Sequence, residues 1–118
     1  MYRIMLKSKI HRATVTGTVL EYEGSIAIDP LLLTQSGILP NEQVHVLNLN
    51  TGGRIETYVI KGKAGTGEIC LNGPAARSAQ PGDKIIILSY ALVSDDEAHK
   101  HKPVILVVNN KNKVIRKK

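Results

Sequence analysis

The segment Leu20-Glu21-Tyr22-Glu23-Gly24-Ser25 ends in a peptide bond that a protein can break with its own atoms. Glycine has no Cβ, so its carbonyl can be held in a pose open to attack, and the next residue supplies a hydroxyl. Addition of the Ser25 oxygen to the Gly24 carbonyl would turn the amide into an ester. Elimination across the Ser25 Cα–Cβ bond, with loss of nitrogen as ammonia, would leave a pyruvoyl group at a new N-terminus. Such a ketone is an electron sink made from the chain itself and forms an imine with an amine substrate. Gly-Ser is also ordinary turn chemistry, so its surroundings must decide.

Further residues have the chemistry to serve such a group. The Arg54 guanidinium can grip a carboxylate through two hydrogen bonds, and Lys9 is a second candidate anchor. Asn72 can hydrogen-bond the new carbonyl or a substrate oxygen, and His11 can contact a carboxylate or protonate a leaving group. Taken singly, each has a plainer reading. Arg54 and Lys9 are ordinary surface cations, Thr57 and Tyr58 are good strand formers, Asn72-Gly73 is a hairpin turn, and His11 is a structural histidine.

Their joint occurrence in one order changes the balance. Lys9-Ile10-His11-Arg12-Ala13, Tyr22-Glu23-Gly24-Ser25, Gly37-Ile38-Leu39 with Asn41-Glu42, Arg54 with Thr57-Tyr58, Asn72-Gly73 with Ala75-Ala76, and Gly82-Asp83 closely resemble the aspartate 1-decarboxylase family. The likeness runs from about residue 1 to residue 98. It implies cleavage into 1–24 and 25–118, a pyruvoyl cofactor derived from Ser25 in place of pyridoxal phosphate, and decarboxylation of L-aspartate to β-alanine for pantothenate synthesis. It also implies a homotetramer with active sites shared between subunits, and leaves room for a maturation factor. Among the residues, it implies that Thr57 stabilises the oxyanion during cleavage and contacts substrate. Tyr58 would donate a proton to the carbon that loses carbon dioxide, Gly73, Pro74 and Ala75 would line the pocket, and Tyr22 would shape the processing loop. The family often has alanine where Pro74 stands, and proline has no N–H to offer a ligand.

The elements that must position these residues read mostly as strands. Segments 43–49, 54–60, 68–71 and 84–90 are short, rich in β-branched residues and separated by Gly, Pro or Asn. Helix is confined to Pro30–Ser36, with Asp29 as N-cap and Gly37 as stop, and to single turns near 74–78 and 94–99. Many short strands and few helices indicate an all-β barrel of one domain, which the resemblance sharpens to a double-psi β-barrel. Thr57 and Tyr58 present a tension, because neighbours on one strand point to opposite faces. A bulge, a strand end, or a site shared between subunits would each resolve it.

Charge is unevenly placed. The chain carries a formal +6 over 118 residues. Lys111, Lys113, Arg116, Lys117 and Lys118 form a basic tail over 111–118, expected to be solvated and frayed. Arg3, Lys7, Lys9 and Arg12 form a second basic group, where positive potential would favour a dicarboxylate. With four tyrosines and neither tryptophan nor phenylalanine, the chain has few platforms for stacking bases, so no nucleic-acid partner is expected. The lone Cys70 reads as a small buried hydrophobe. The spacing of His11, His45, His99 and His101 offers no zinc site, and there is no phosphate-binding glycine loop. No apolar run suits a membrane span or a signal sequence, so a cytoplasmic location is expected.

Overall fold

Aliphatic, β-branched runs cut by Gly, Pro and Asn become nine strands in the computed structural model, which describes residues 1–118. These are β1 (Tyr2–Thr14), β2 (Gly17–Val19), β3 (Ser25–Ile28), β4 (Gln43–Asn48), β5 (Arg54–Lys61), β6 (Ile69–Asn72), β7 (Lys84–Ser94), β8 (Val104–Val108) and β9 (Val114–Lys117). They hydrogen-bond in the order β2-β6-β3-β5-β4-β7-β1-β8-β9. The pairs β1–β8, β2–β6 and β3–β5 are parallel and the rest antiparallel, which sets this β-barrel architecture apart from an up-and-down barrel. The helices are α1 (Pro30–Ser36), α2 (Asp95–Ala98) and a 3₁₀ segment (Gly73–Ser78).

The strands that carry the candidate site are anchored by full burial. Ile26 and Ile28 of β3 pack in one core with Val59 of β5 and Ile69 and Leu71 of β6, all at 0% exposure. Each such side chain contributes about 1.5–3 kcal/mol relative to being left in water. Ser25 is therefore the first residue of a strand whose next member is locked in place.

α1 forms as its caps predict. The Asp29 carboxylate accepts from the Leu31 N–H at 2.9 Å, Pro30 opens the helix, and Gly37 closes it at φ 77° with its N–H bonded to the Leu33 carbonyl. Asp29 also accepts from the N–H groups of Gly65 and Gly67, tying the helix to the loop before β6. Burial pushes its pKa up, but the three N–H donors and the nearby Lys113 outweigh this and hold it below the ordinary value.

The basic C-terminal residues are exposed but not frayed. β9 pairs antiparallel with β8, and Lys118 exchanges both backbone hydrogen bonds with Ile105. Two anchors explain the order. Val114 packs against the core, and Asn112, 2% exposed, bonds both the N–H and the C=O of Thr14 and the C=O of Gly67.

Candidate active site

Strand register brings the proposed scissile bond to Thr57 and Tyr58. In the parallel β3–β5 pair Ile26 lies opposite Val59, so one and two steps back along both strands align Ser25 with Tyr58 and Gly24 with Thr57. On its other side β3 runs antiparallel to β6, and Ser25 pairs directly with Asn72. Directly paired residues share a face, so the two side chains meet. Asn72 Nδ2 donates to Ser25 Oγ at 3.1 Å, and the Ser25 hydroxyl donates to the Glu23 carbonyl at 3.3 Å. Ser25 is 0% and Asn72 4% exposed.

A cavity of about 380 Å³ opens beside this bond, lined by Gly24, Ile55, Glu56, Thr57, Tyr58, Pro74, Ala75 and Ser78. Thr57 and Tyr58 both reach it although β4 and β5 pair without a bulge. Thr57 lies opposite the fully buried Val44 on the core face, while Tyr58 lies opposite the exposed Gln43 on the outer face. β3 joins β5 only from Val59 onward, leaving 54–58 paired to β4 alone. The cavity wraps that free edge, so residues of both faces line it. The tension in the sequence is resolved by where a neighbouring strand begins.

Gly73 holds the loop that carries the bond. It has φ 63°, and a Cβ there would lie 2.6 Å from the Tyr22 carbonyl oxygen, 2.8 Å from Gly24 N and 2.9 Å from Gly24 Cα. All three are backbone atoms and cannot swing away. Above the bond, a Cβ on Gly24 would touch the Pro74 ring at 3.4 Å. Gly73→Ala is therefore expected to push the 22–24 loop out of place and suppress cleavage at least tenfold, with the left-handed backbone adding about 1–2 kcal/mol of destabilisation. The checks are the rate of fragment appearance on denaturing gels and the thermal midpoint. Parent-like cleavage would show that the close approach is dispensable.

The expected cations lie elsewhere in the chain. Arg54 sits on the exposed outer face of β5, its Nη1 3.1 Å from His45 Nδ1. Lys9 pairs with Leu88, Leu88 with His45 and His45 with Glu56, which makes one row across β1, β7, β4 and β5 on that same outer face. His11 pairs with Val107 on β8, and its Nδ1 is buried without a partner. Burial, then Lys9, Arg12 and Lys118, lowers its pKa and favours the neutral ring. None of Lys9, His11 and Arg54 lines the cavity beside Gly24, so a carboxylate there meets no cation from the same chain. Tyr22 is exposed and borders a separate cavity with Cys70 and Asn72.

Two features lay outside the sequence reading. Ile55, Glu56 and Ser78 complete the lining, and Cys70 hydrogen-bonds Asn72. Spacing offered a signal for the second: Cys70 and Asn72 are two apart, so a strand puts them on one face.

Residues 1–115 match the aspartate decarboxylase family. The chain is 55% identical to the aspartate 1-decarboxylase of Bacillus subtilis (strain 168) over 114 residues, which covers 97% of this chain and 90% of that one. It is 56% identical over 115 residues to the aspartate 1-decarboxylase of Pelotomaculum thermopropionicum, covering 98% of this chain and 87% of the relative. With the aspartate 1-decarboxylase of Dehalococcoides mccartyi (strain ATCC BAA-2266 / KCTC 15142 / 195), 53% of 114 residues are identical, with 97% and 92% covered.

Proposed function

The chain belongs to the aspartate decarboxylase family, and from that premise we propose that it works through a pyruvoyl group made by cleaving its own Gly24–Ser25 bond. It is an enzyme that decarboxylates L-aspartate to β-alanine. The observation that carries the mechanistic reading is the alignment of Gly24–Ser25 with Thr57–Tyr58 at the lip of the cavity, with the Ser25 oxygen already held by Asn72.

The surroundings suit a pyruvoyl group at position 25. Ser25 is fully buried beside Asn72 while its neighbour Gly24 borders the cavity, so a cut between them would free residue 25 toward that space, and no lysine lines the cavity to hold a different carbonyl cofactor. Once formed, the group supplies an electron sink for the carbanion left as carbon dioxide departs. During cleavage the Thr57 hydroxyl stabilises the oxyanion that forms at the Gly24 carbonyl. In turnover the Tyr58 phenol delivers a proton to the carbon that has lost its carboxylate. Ile55, Pro74 and Ala75 make part of the wall apolar, which suits a carboxylate that must leave, because tight binding of the departing group would stabilise the ground state.

The retained carboxylate needs a cation that one chain does not bring to the cavity. We assign it to Arg54, with Lys9 as second anchor and His11 in support, contributed by an adjacent subunit of a homotetramer. In favour of this reading, Arg54, Lys9 and Tyr58 share the outer sheet face, which also exposes Ile4 at 74% and Leu92 at 67%. An apolar face of this kind fits a subunit contact. Complementation tests it. Arg54→Ala and Tyr58→Phe chains should each be nearly inactive alone, while mixed tetramers formed by co-expression should recover up to about a quarter of parent activity, since shared sites then combine one intact half from each chain. No recovery in mixed tetramers verified by mass would place both residues in one chain's site. No helix is long and apolar enough to cross a membrane, and we place the enzyme in the cytoplasm.

A further inference from the structure

We propose that Cys70 is a positioning residue for chain cleavage: its thiol orients the Asn72 amide so that Nδ2 faces the Ser25 oxygen. The proposal rests on the pyruvoyl reading and adds to it a residue otherwise taken as packing. In the β3–β6 pair, Ser25 lies opposite Asn72 and Ala27 opposite Cys70, so Cys70, Asn72 and Ser25 share one face. The Cys70 S–H donates to Asn72 Oδ1 at 3.4 Å, Asn72 Nδ2 donates to Ser25 Oγ at 3.1 Å, and the Ser25 hydroxyl donates to the Glu23 carbonyl at 3.3 Å. The chain of donors runs in one direction, and each bond polarises the next. Burial, and the nearby Glu68, raise the thiol pKa, so the proton needed for donation stays on sulfur at neutral pH.

An amide has a donor end and an acceptor end of nearly the same shape. Cys70 and Ser25 are the two hydrogen-bond partners of the Asn72 side chain. Remove the thiol, and the amide can turn its oxygen toward Ser25. The consequence falls on the second half of cleavage. After the Ser25 oxygen has displaced its own nitrogen from Gly24, the Gly24–Ser25 linkage is an ester. Elimination then takes the Ser25 Cα proton to a solvent base, forms the Cα–Cβ double bond, and sends the electron pair of the Cβ–Oγ bond onto what becomes the Gly24 carboxylate. Water adds to the resulting enamine, and ammonia leaves. Negative charge grows on Oγ as it departs, so an N–H donor assists that step and a carbonyl oxygen opposes it.

The test follows cleavage of freshly made chain by intact mass, with and without hydroxylamine, which cuts an ester and leaves an amide. For Cys70→Ala we expect cleavage roughly tenfold slower, with a hydroxylamine-sensitive uncut species accumulating, as loss of about one hydrogen bond in the elimination step would give. Cys70→Ser, which keeps a donor in nearly the same volume, should restore the parent rate to within about threefold and should not accumulate ester. Cleavage of Cys70→Ala at the parent rate would overturn the proposal. So would a Cys70→Ser chain as slow as Cys70→Ala, because that pattern belongs to lost packing. If the parent chain itself never cleaves, the pyruvoyl reading fails and takes this proposal with it. A cleaving parent with an indifferent Cys70→Ala overturns the role of Cys70 alone.

Discussion

Ser25→Ala is expected to yield a folded, uncut chain with no decarboxylase activity. The substitution removes one oxygen atom, which in the parent accepts from Asn72 and donates to the Glu23 carbonyl. The strand around it does not depend on that oxygen. Backbone pairing with Asn72 remains, and Ile26 stays fully buried in the core. Leaving the Asn72 N–H without its partner costs about 1–3 kcal/mol, against a typical domain stability of about 5–15 kcal/mol. The fold should survive while both chemical functions proposed for the residue are lost. In the proposed mechanism, without the hydroxyl there is no ester and no cut, and without the cut there is no electron sink. Carbon dioxide release from L-aspartate should fall to background, with circular dichroism unchanged. Parent-like turnover by an uncut Ser25→Ala chain would mean that some other group performs the reaction.

Tyr58→Phe should separate maturation from turnover. In the proposed mechanism cleavage draws on Ser25, Thr57 and Asn72, and the ring of residue 58 would still line the cavity after its hydroxyl is gone. Processing is therefore expected to run to completion. Decarboxylation is a different matter, because the carbanion must be protonated, and loss of a positioned general acid costs about 10²–10⁴ in rate. The fall should appear in kcat with KM little changed, since the phenol is asked to act on the carbon that reacts rather than on the carboxylate that is held. A Tyr58→Phe enzyme with full kcat would send the search for the proton donor elsewhere in the cavity, and Glu56 is the other ionisable side chain in its lining.

Where local chemistry dictates structure, the sequence was legible. Asp29, Pro30 and Gly37 bracket α1 because capping and left-handed closure are decided within a few residues. The pairing of Thr57 with Tyr58 in one cavity was not legible, because it depends on β3 joining β5 only at Val59, a relation between strands far apart in sequence. The tail misled for a related reason. Its charges suggest a free end, yet order comes from the inward Val114 and the buried Asn112, whose partners Thr14 and Gly67 are remote in the chain. Arg54 and Lys9 show the same limit from the functional side. Their chemistry suits a carboxylate, but strand register puts them on an outer face rather than in their own chain's cavity.

The most direct measurement is a denaturing intact-mass spectrum of freshly purified protein beside Ser25→Ala. Two fragments are expected from the parent, Met1–Gly24 and a longer one ending at Lys118, the latter with a ketone at its N-terminus and resistant to amine-directed sequencing. The variant should give one intact chain. A parent that remains a single chain after prolonged warming while still releasing carbon dioxide from L-aspartate would contradict the central claim that the Gly24–Ser25 bond is the source of the catalytic group.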